Sequence, residues 1–270
     1  MSQISERVAG VPAAPSPYLT VVAEQLVSIL SPLLFIALWE IAVRTQLLDW
    51  RFFPAPSSIV GRFSDLVASG ELLMHVAVSV KRVFLGFLFG AAPALALGLV
   101  MGLSRWVRAA VNPLVAATYP IPKSAMVPLM LLIFGLGDAS KIALVAIGVF
   151  YLVLINTTAG VMTIERIYLE AGRNFGAGRL QLFLTVALPG ALPLIFTGLR
   201  LGMGIGLILI VIAEVVGARS GIGYLIWQAW TIFDVERMYV GLVVIAILGW
   251  VTTLAFDYTE RLLIPWKRHL

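Results

Sequence analysis

The sequence predicts an all-α integral membrane protein with about six transmembrane helices. Hydrophobic residues make up 60% of its 270 residues and charged residues 12%, whereas soluble domains are roughly half apolar and a quarter charged. Runs close to the roughly 20 apolar residues that cross a bilayer occur at 26–43, 83–103, 109–136, 142–164, 188–213 and 238–256. These six runs are the predicted spans.

The composition excludes several classes of function. The formal net charge is +5, and Lys and Arg are scattered along the chain, so nucleic acid is not an expected partner. The absence of cysteine excludes disulfides, thiolate metal sites and a cysteine nucleophile. No histidine pair, carboxylate cluster or Ser/His arrangement indicates an enzyme. We therefore expect no catalytic residue and no bound metal in this chain.

Residues 1–20 are polar and proline-bearing and precede the first span. They lack a basic stretch that leads into a short apolar core with a cleavage site, so a cleaved signal peptide is not expected. We predict a disordered cytoplasmic tail, followed by one transmembrane domain over residues 21–270. This orientation agrees with the bias of basic residues toward cytoplasmic loops, because it places inside Arg105, Arg108, Arg166, Arg173, Arg179, Lys267 and Arg268.

The spans differ in regularity. The second and fourth are uncharged, whereas the third contains Lys123 with several prolines and the fifth contains Arg200. Between the first and second spans, apolar residues recur at helical spacing with charges between them, which predicts an amphipathic interfacial helix: Ile59, Phe63, Leu66 and Val67. An ordinary loop helix lying on the protein is the alternative.

Small residues recur every four positions in two spans. They are Gly86, Gly90, Ala94, Gly98 and Gly102 in the second span, and Gly198, Gly202 and Gly206 in the fifth. Small residues at this spacing allow helix backbones to approach closely inside a bilayer. We interpret both series as helix-packing surfaces without a chemical role.

The third span is the first candidate for a solute pathway. Proline removes a backbone donor and kinks a helix, and broken backbone at membrane depth requires cover from protein or a water-filled cavity. We predict that the stretch YPIPKSAMVP lines the pathway through Pro120, Pro122, Lys123, Ser124, Met126 and Pro128. The alternative is a kinked packing helix whose lysine extends toward the interface.

Two charged residues, one inside the fifth run and one directly after it, complete the predicted pathway. Arg200 and Glu214 are about 21 Å apart along a helix that rises 1.5 Å per residue, so they cannot pair with each other. An arginine that faces a cavity would favour an anionic solute. A structural ion pair with another span is an equal alternative for each residue.

The stretch EAGRNFGAGRLQLFLTVALP, from Glu170 to Pro189, interrupts the apolar runs with charges and glycines. We predict a cytoplasmic excursion over residues 165–187, formed by two short helices with an elbow at Gly176 and Gly178. Its apolar residues are Leu169, Phe175, Leu180, Leu182 and Phe183. A compact projection with apolar and charged faces is suited to bind a partner.

The same stretch resembles the cytoplasmic motif of permeases in binding-protein-dependent ABC importers, E-A-A-x3-G-x9-I-x-L-P. This chain has Glu170, Ala171 and Gly172, then Gly176, Val186 and Leu188-Pro189 at identical spacing. Glycine replaces the second alanine and valine replaces the isoleucine. The blocks YPIPKSAMVPLMLLIFGLGDASKIAL, GALPLIFTGLRLGMGIGLILIVIAEVVGARSGIGYLIWQA and RLLIPW are similar to the nitrate, sulfonate and taurine branch of this family.

The resemblance implies a type I-like permease of a bacterial inner membrane, in which the excursion forms coupling helices that dock on ATP-binding subunits. Residue by residue, the docking role would fall on Glu170, Ala171, Gly172, Gly176, Leu188 and Pro189. The implied partners are a second copy of the chain, two ATP-binding subunits and an external solute-binding protein. The implied solute is a small anion such as nitrate, an alkanesulfonate or taurine, although related permeases carry other solutes.

The sequence also bears on the source of energy. No Gly-Lys dipeptide is present, so the phosphate-binding loop G-x-x-x-x-G-K-[ST] is absent, and we expect ATP and Mg to be bound by the partner subunit. A carrier driven by an ion gradient usually has several carboxylates or histidines at membrane depth. This chain offers Glu40 and Glu214 near span ends, with His75 and His269 outside the apolar runs. A stand-alone secondary carrier remains the alternative.

Overall fold

The computed structural model describes residues 17–266, and all regular elements in this range are helices. In chain order they are α1 (Pro17–Arg44), α2 (Pro56–Ala68), α3 (Glu71–Leu103), α4 (Arg105–Thr118), α5 (Val127–Phe134), α6 (Asp138–Met162), α7 (Arg166–Asn174), α8 (Arg179–Leu182), α9 (Leu188–Gly217), α10 (Ile222–Thr231) and α11 (Val235–Leu263). A 3₁₀ turn precedes α5, and a π-helical turn joins α8 to α9. The predicted all-α class is confirmed. Residues 1–16 of the predicted tail lie outside the described residues, and residues 17–20 begin α1.

Five of the described helices are long and apolar enough to cross a membrane: α1, α3, α6, α9 and α11. A sixth span results if α4 and the helical stretch that ends in α5, which meet at an angle of 84°, are counted together. The predicted number of spans and the predicted irregularity of the third are therefore confirmed. The predicted amphipathic segment between the first two spans is helix α2.

The chain divides into two compact units at residue 59. In the first unit, Glu40 near the end of α1 organises the loop that follows. Its carboxylate accepts hydrogen bonds from the amide of Ser57 at 3.0 Å and from the hydroxyl of Ser57 at 2.7 Å. Arg44 donates a third hydrogen bond to the same carboxylate at 2.6 Å. These bonds fix the return of the loop to the end of the helix.

The core of the second unit is formed by α3, α6 and α9. A Cβ atom added at Gly90 would lie 2.4 Å from the carbonyl oxygen of Ala146, and one at Gly198 would lie 2.7 Å from the Cβ of Asn156. Only glycine permits these two approaches of α6. The glycine series therefore serve helix packing, as predicted.

The directions of these helices follow from their contacts. Gly86 lies against Val145 and Gly102 against Val161, so α3 and α6 run parallel. Helix α9 runs antiparallel to α6, because Gly160 near the end of α6 lies against Ala191, whereas Gly206 lies against Val145 near the start of α6. The start of α9 and the end of α6 therefore share the side on which residues 165–187 lie. We call the opposite side, where α9 ends and α6 begins, the outer end.

Ion pairs connect elements at the outer end. Arg62 of α2 pairs with Asp234, whose carboxylate also accepts the amide of Arg237 at the start of α11. Arg237 in turn pairs with Glu71 of α3. The partnership with an ionised carboxylate raises the pKa of Arg62. These bonds join α2, α3 and α11 outside the packed core.

Candidate coupling site and translocation pathway

The 165–187 segment contains two short helices joined by a glycine elbow, as predicted. Helix α7 ends at Asn174, and Gly176 adopts a left-handed backbone with φ of 81°. The amide of Gly176 donates to the carbonyl of Arg173 at 2.9 Å, and the amide of Ala177 donates to that of Gly172 at 3.0 Å. This pattern is a Schellman motif, for which glycine is the preferred residue.

The two short helices pack closely at Gly172. A Cβ atom added there would lie 2.5 Å from Cδ2 of Leu182, and Leu182 is buried. Glycine therefore takes the place of the family's second alanine where the side chain of α8 meets α7. An alanine at this position would require the terminal methyl group of Leu182 to move.

The 165–187 segment exposes large apolar side chains among polar ones such as Arg173. Phe175, at the elbow, is 92% exposed, and four further large apolar side chains of the segment are exposed: Ile167, Tyr168, Leu180 and Leu184. Glu170 and Ala171 are also exposed, whereas Leu188 and Pro189 are half-buried where the segment re-enters the helix bundle. The segment thus presents an apolar surface with the acidic Glu170 beside it.

The break in the third span is capped by Lys123. Pro120 and Pro122 have no amide hydrogen, so the carbonyl groups four residues before them lose the donors that a regular helix would supply. The ammonium of Lys123 donates to the carbonyls of Thr118, Tyr119 and Ile121 at 3.0, 3.1 and 2.9 Å. The same ammonium lies 4.3 Å from the ring centre of Tyr151 on α6. The lysine therefore satisfies backbone groups that the bend exposes.

The other predicted pathway residues of the third span lie around this break. Pro120, Pro122, Ser124 and Pro128 are exposed, and Met126 is half-buried against the core. The exposed stretch is accessible in the single chain. Whether it lines a pathway depends on what faces it, so the assignment stays a prediction.

Arg200 forms ion pairs with another span. Its guanidinium lies 2.6 Å from the carboxylate of Asp257 and 2.6 Å from that of Glu260, both on α11. This geometry is the structural alternative named above, although Arg200 keeps about a third of its surface exposed. A contact between Arg200 and solute stays a prediction.

Glu214 is fully buried, and its carboxylate accepts hydrogen bonds from three donor groups. Ser79 donates its hydroxyl at 2.8 Å, Arg82 donates at 2.8 Å, and the amide of Gly223 donates at 3.0 Å. A Cβ atom at Gly221 would lie 2.2 Å from this carboxylate. The arrangement fixes the loop before α10 against α3 and α9. In this conformation Glu214 has a structural role, and its place in the pathway stays a prediction.

The sequence did not indicate the partners of Glu214. Arg82 also pairs with Asp138 at 2.7 Å and donates to the carbonyl of Ser220 at 2.7 Å. Buried Lys141 donates to the carbonyls of Leu136 at 2.6 Å and Gly217 at 2.5 Å. The predicted spans began at residues 83 and 142, directly after these cations, whereas α3 begins at Glu71 and α6 at Asp138.

A sequence signal for this network exists in the small-residue series. Continued by one step of four, the series of α3 reaches Arg82. Continued by two steps beyond Gly206, the series of α9 reaches Glu214. Residues on one such series share a helix face, so both ions lie on the surfaces that pack. Among the described residues there is no group of three or more acidic or histidine side chains that could hold a metal.

Comparison with known proteins places residues 94–269 in the family model described as "Binding-protein-dependent transport system inner membrane component". A protein of Escherichia coli (strain K12) that is named an aliphatic sulfonates transport permease, SsuC, is 36% identical over 87% of this chain and 90% of its own length. The taurine transport system permease TauC of the same strain is 32% identical over 86% of both chains. The riboflavin transport system permease RibX of Chloroflexus aurantiacus is 33% identical over 87% of this chain and 88% of its own length.

Solved structures agree with the helical architecture. A chain of the inward-facing MetNI methionine ABC transporter superposes with a TM-score of 0.62 at 23% identity, and the match covers 73% of this chain and 97% of that one. A chain of an amino acid ABC transporter gives a TM-score of 0.57 at 21% identity, over 77% and 97%. At these identities the likeness concerns the fold.

Proposed function

The chain belongs to the family of inner membrane components of binding-protein-dependent transport systems, and from this premise we propose that it moves a small anionic solute. Membership makes it a multi-pass permease subunit of an ABC importer in the bacterial inner membrane. Its relatives and structural neighbours are ABC transporter permeases, so the alternative of a stand-alone secondary carrier is not favoured.

The exposed apolar surface of the 165–187 segment carries the proposed mode of action. In water, a side chain such as Phe175, which is 92% exposed, gains free energy when a partner buries it. The Schellman motif at Gly176 fixes the elbow, so the surface is organised before a partner binds. We assign this surface to docking on an ATP-binding subunit, with Glu170 as a charged contact beside it.

The lack of a phosphate-binding loop in this chain supports the proposal that a separate subunit binds ATP. The chain has no Gly-Lys dipeptide, so a backbone cradle of the Walker type for nucleotide phosphates is not available. We propose that ATP and Mg bind only to the partner subunit. Closure of the partners around ATP would move the 165–187 segment and, through α6 and α9, the spans.

A second copy of the chain is the proposed cover for the broken span. No residue of α4 is buried in the single chain. The exposed backbone bend lies between two helical stretches that together are long and apolar enough to cross a membrane. Irregular backbone at membrane depth requires protein or a water-filled cavity beside it. We therefore propose a homodimer with two ATP-binding subunits, whose pathway runs near this bend.

The proposed solute class rests on the relatives. Two of them are named for aliphatic sulfonates and for taurine, which carries a sulfonate group, whereas another is named for riboflavin. The family description calls these transport systems binding-protein-dependent, and we propose that an external binding protein delivers the solute to the permease.

Reconstitution tests this proposal. The chain, its ATP-binding subunit and a solute-binding protein are placed in liposomes, and uptake of labelled taurine, ethanesulfonate and nitrate is measured. We expect uptake of at least one of these solutes, each of which carries an oxyanion group, that requires ATP and the binding protein, and no ATP binding by the chain alone. Uptake that an ion gradient drives without the ATP-binding subunit would contradict the proposal.

Two matched variants test the docking surface. Phe175→Ser removes the most exposed aromatic group of the segment, and Leu47→Ser removes a strongly exposed apolar side chain from the loop after α1. Loss of an interface anchor typically costs about 2 kcal/mol or more, so the amount of co-purified ATP-binding subunit should fall strongly for Phe175→Ser alone. Equal co-purification of both variants would remove the docking assignment.

A further inference from the structure

A cavity lies at the outer end of the bundle, where no function has been assigned above. Its volume is about 480 Å³. The residues that line it are Arg82, Leu136, Gly217, Ala218, Arg219 and Ser220. Pockets for small ligands have volumes of roughly 300–1,000 Å³. The size therefore suits a small organic or inorganic solute. We call this cavity the outer pocket.

The outer pocket has a surplus of positive charge. Arg82 and Arg219 line it. Lys141 donates to the carbonyls of the lining residues Leu136 and Gly217. Lys81 lies 3.8 Å from the carboxylate of Asp138, which also pairs with Arg82. Against these four cations stand two carboxylates, Asp138 and Glu214. A cleft with charge of one sign concentrates ions of the opposite sign.

Lys141 is the unusual member of this group. Its side chain is 1% exposed, and its hydrogen-bond partners are the carbonyls of Leu136, Gly137 and Gly217. Carbonyl groups solvate an ammonium but do not neutralise it, so the charge of Lys141 persists behind the wall of the pocket. It also fixes the two loops that form that wall.

Arg219 differs from the other cations because nothing in the described chain holds it. Arg82 is committed to Glu214, Asp138 and the carbonyl of Ser220. Arg219 is exposed and makes no hydrogen bond or ion pair with any described residue. The loop that carries it is fixed on both sides, by Lys141 at Gly217 and by His75 at Gly221. A free guanidinium is thus presented from a rigid loop at the rim of a positive cavity.

We propose that the outer pocket is the first binding site of the permease for its anionic solute, and that Arg219 contacts the oxyanion group. This inference rests on the proposed function, and it adds the site and the residue that determine preference for anions. A planar guanidinium donates paired hydrogen bonds to sulfonate or nitrate oxygens. Arg82 and Lys141 act as positioning residues, which hold the loop and supply the potential.

The absence of cysteine allows a direct test in the assembled complex. Ser220→Cys places a single thiol in the pocket, and its rate of modification is measured with an anionic sulfonatoethyl methanethiosulfonate and with a cationic trimethylammonium analogue. We expect faster reaction with the anionic reagent, slowed by added ethanesulfonate. Arg219→Gln should reduce the anionic preference several-fold, and Arg219→Lys should retain most of it. Ser64→Cys, at an exposed position of α2, is the control. Its ratio of anionic to cationic reaction rates should not change when Arg219→Gln is introduced.

Uptake by liposomes separates this inference from the proposed function. With the wild-type complex active, Arg219→Gln should raise the half-saturating concentration of solute-loaded binding protein about tenfold, as expected for loss of a hydrogen bond to a charged group. Arg51→Gln, which removes an exposed positive charge in the loop after α1, should leave it unchanged. Equal reagent rates at Ser220→Cys, no protection by ethanesulfonate, or unchanged uptake by Arg219→Gln would overturn the outer pocket. An inactive wild-type complex would instead overturn the proposed function.

Discussion

Arg82 of α3 and Glu214 of α9 form an ion pair of 2.8 Å, in which Glu214 is fully buried and the Arg82 side chain is 6% exposed. Ser79 and the amide of Gly223 complete the carboxylate shell. A buried carboxylate without partners would be strongly destabilising, whereas this one is satisfied on every side. The pair connects the two small-residue surfaces of the core to the loop that precedes α10.

Removal of both partners of this pair should destabilise the protein less than the sum of the two single removals. Glu214→Leu leaves the Arg82 guanidinium with Asp138 as its remaining carboxylate partner, and loss of one partner of a buried pair costs about 3–5 kcal/mol of unfolding free energy. The double variant Arg82→Met/Glu214→Leu should lose less than the sum of the two single variants, because both substitutions remove the same interaction. Thermal unfolding in detergent measures the four members of the cycle.

The control for this cycle is Arg44→Met, which removes the exposed arginine of an ion pair with Glu40. Exposed pairs contribute little to stability, so its melting temperature should stay close to that of the wild type. Additive effects of the Arg82 and Glu214 substitutions would show that the two residues do not depend on each other.

Gly176 should be required for docking because of its left-handed backbone conformation and not because of close packing around it. Its φ is 81°, and a Cβ atom added there would meet nothing within 4 Å. An L-residue in the left-handed region costs roughly 1–2 kcal/mol, so Gly176→Ala should shift the elbow and lower the affinity for the ATP-binding subunit by about tenfold. Membrane insertion should be unchanged.

Gly178→Ala provides a matched control two residues away. A Cβ atom at Gly178 also meets nothing within 4 Å, but its backbone is not left-handed. The affinity measured by titration of the detergent-purified subunits should therefore stay near the wild-type value. A similar loss in both variants would indicate a general sensitivity of the segment and not a role for the Schellman motif.

Lys123 should stabilise the bend of the third span. Lys123→Met leaves three carbonyls without their donor, and at about 1 kcal/mol for each hydrogen bond the loss should approach about 3 kcal/mol. Lys123→Arg keeps the donors and should recover much of the stability. Both effects are measured by the melting temperature of the purified chain.

The prediction that Lys123 lines the solute pathway leads to a different expectation. A lysine that only contacts solute would leave the melting temperature of Lys123→Met unchanged and would raise the half-saturating concentration for an anion. Lys123→Gln should then show the same change in uptake. The two interpretations are thus separated by stability and uptake measured on the same variants.

Much of the fold could be predicted because hydropathy and small-residue spacing are local signals. Six spans, the break near Lys123 and the glycine elbow at Gly176 all follow from runs and breaks along the chain. The ends of the helices could not be predicted from hydropathy, because a charged residue such as Arg82 or Lys141 ends an apolar run but does not end the helix. The helices continue past Arg82 and Lys141 toward the outer end, where groups distant in sequence, Glu214 and the carbonyl of Gly217, accept hydrogen bonds from these cations.

The candidate site was predicted unevenly for the same reason. The elbow of the 165–187 segment depends on residues close in sequence, and the structure has it as expected. Of the five apolar residues that the sequence indicated for this segment, Phe175 and Leu180 are exposed, whereas Leu182 is buried because α8 packs on α7. The partners of Arg200 on α11 and those of Glu214 on α3 depend on helix packing across the core. Sequence spacing showed that Arg200 and Glu214 cannot pair with each other, but it could not identify their partners.

The most direct test of the account follows the effect of ATP from the 165–187 segment to the bend of the third span. Ser124→Cys and Met126→Cys each place one thiol beside the bend in a cysteine-free chain, and their reaction with an aqueous maleimide is timed in the complex with and without trapped ATP. We predict that the rates change several-fold when ATP is trapped, and that the change is reduced by Gly176→Ala. Thiols that stay unreactive, or that react at one rate in both states, would contradict a pathway at this bend that the ATP-binding subunits control.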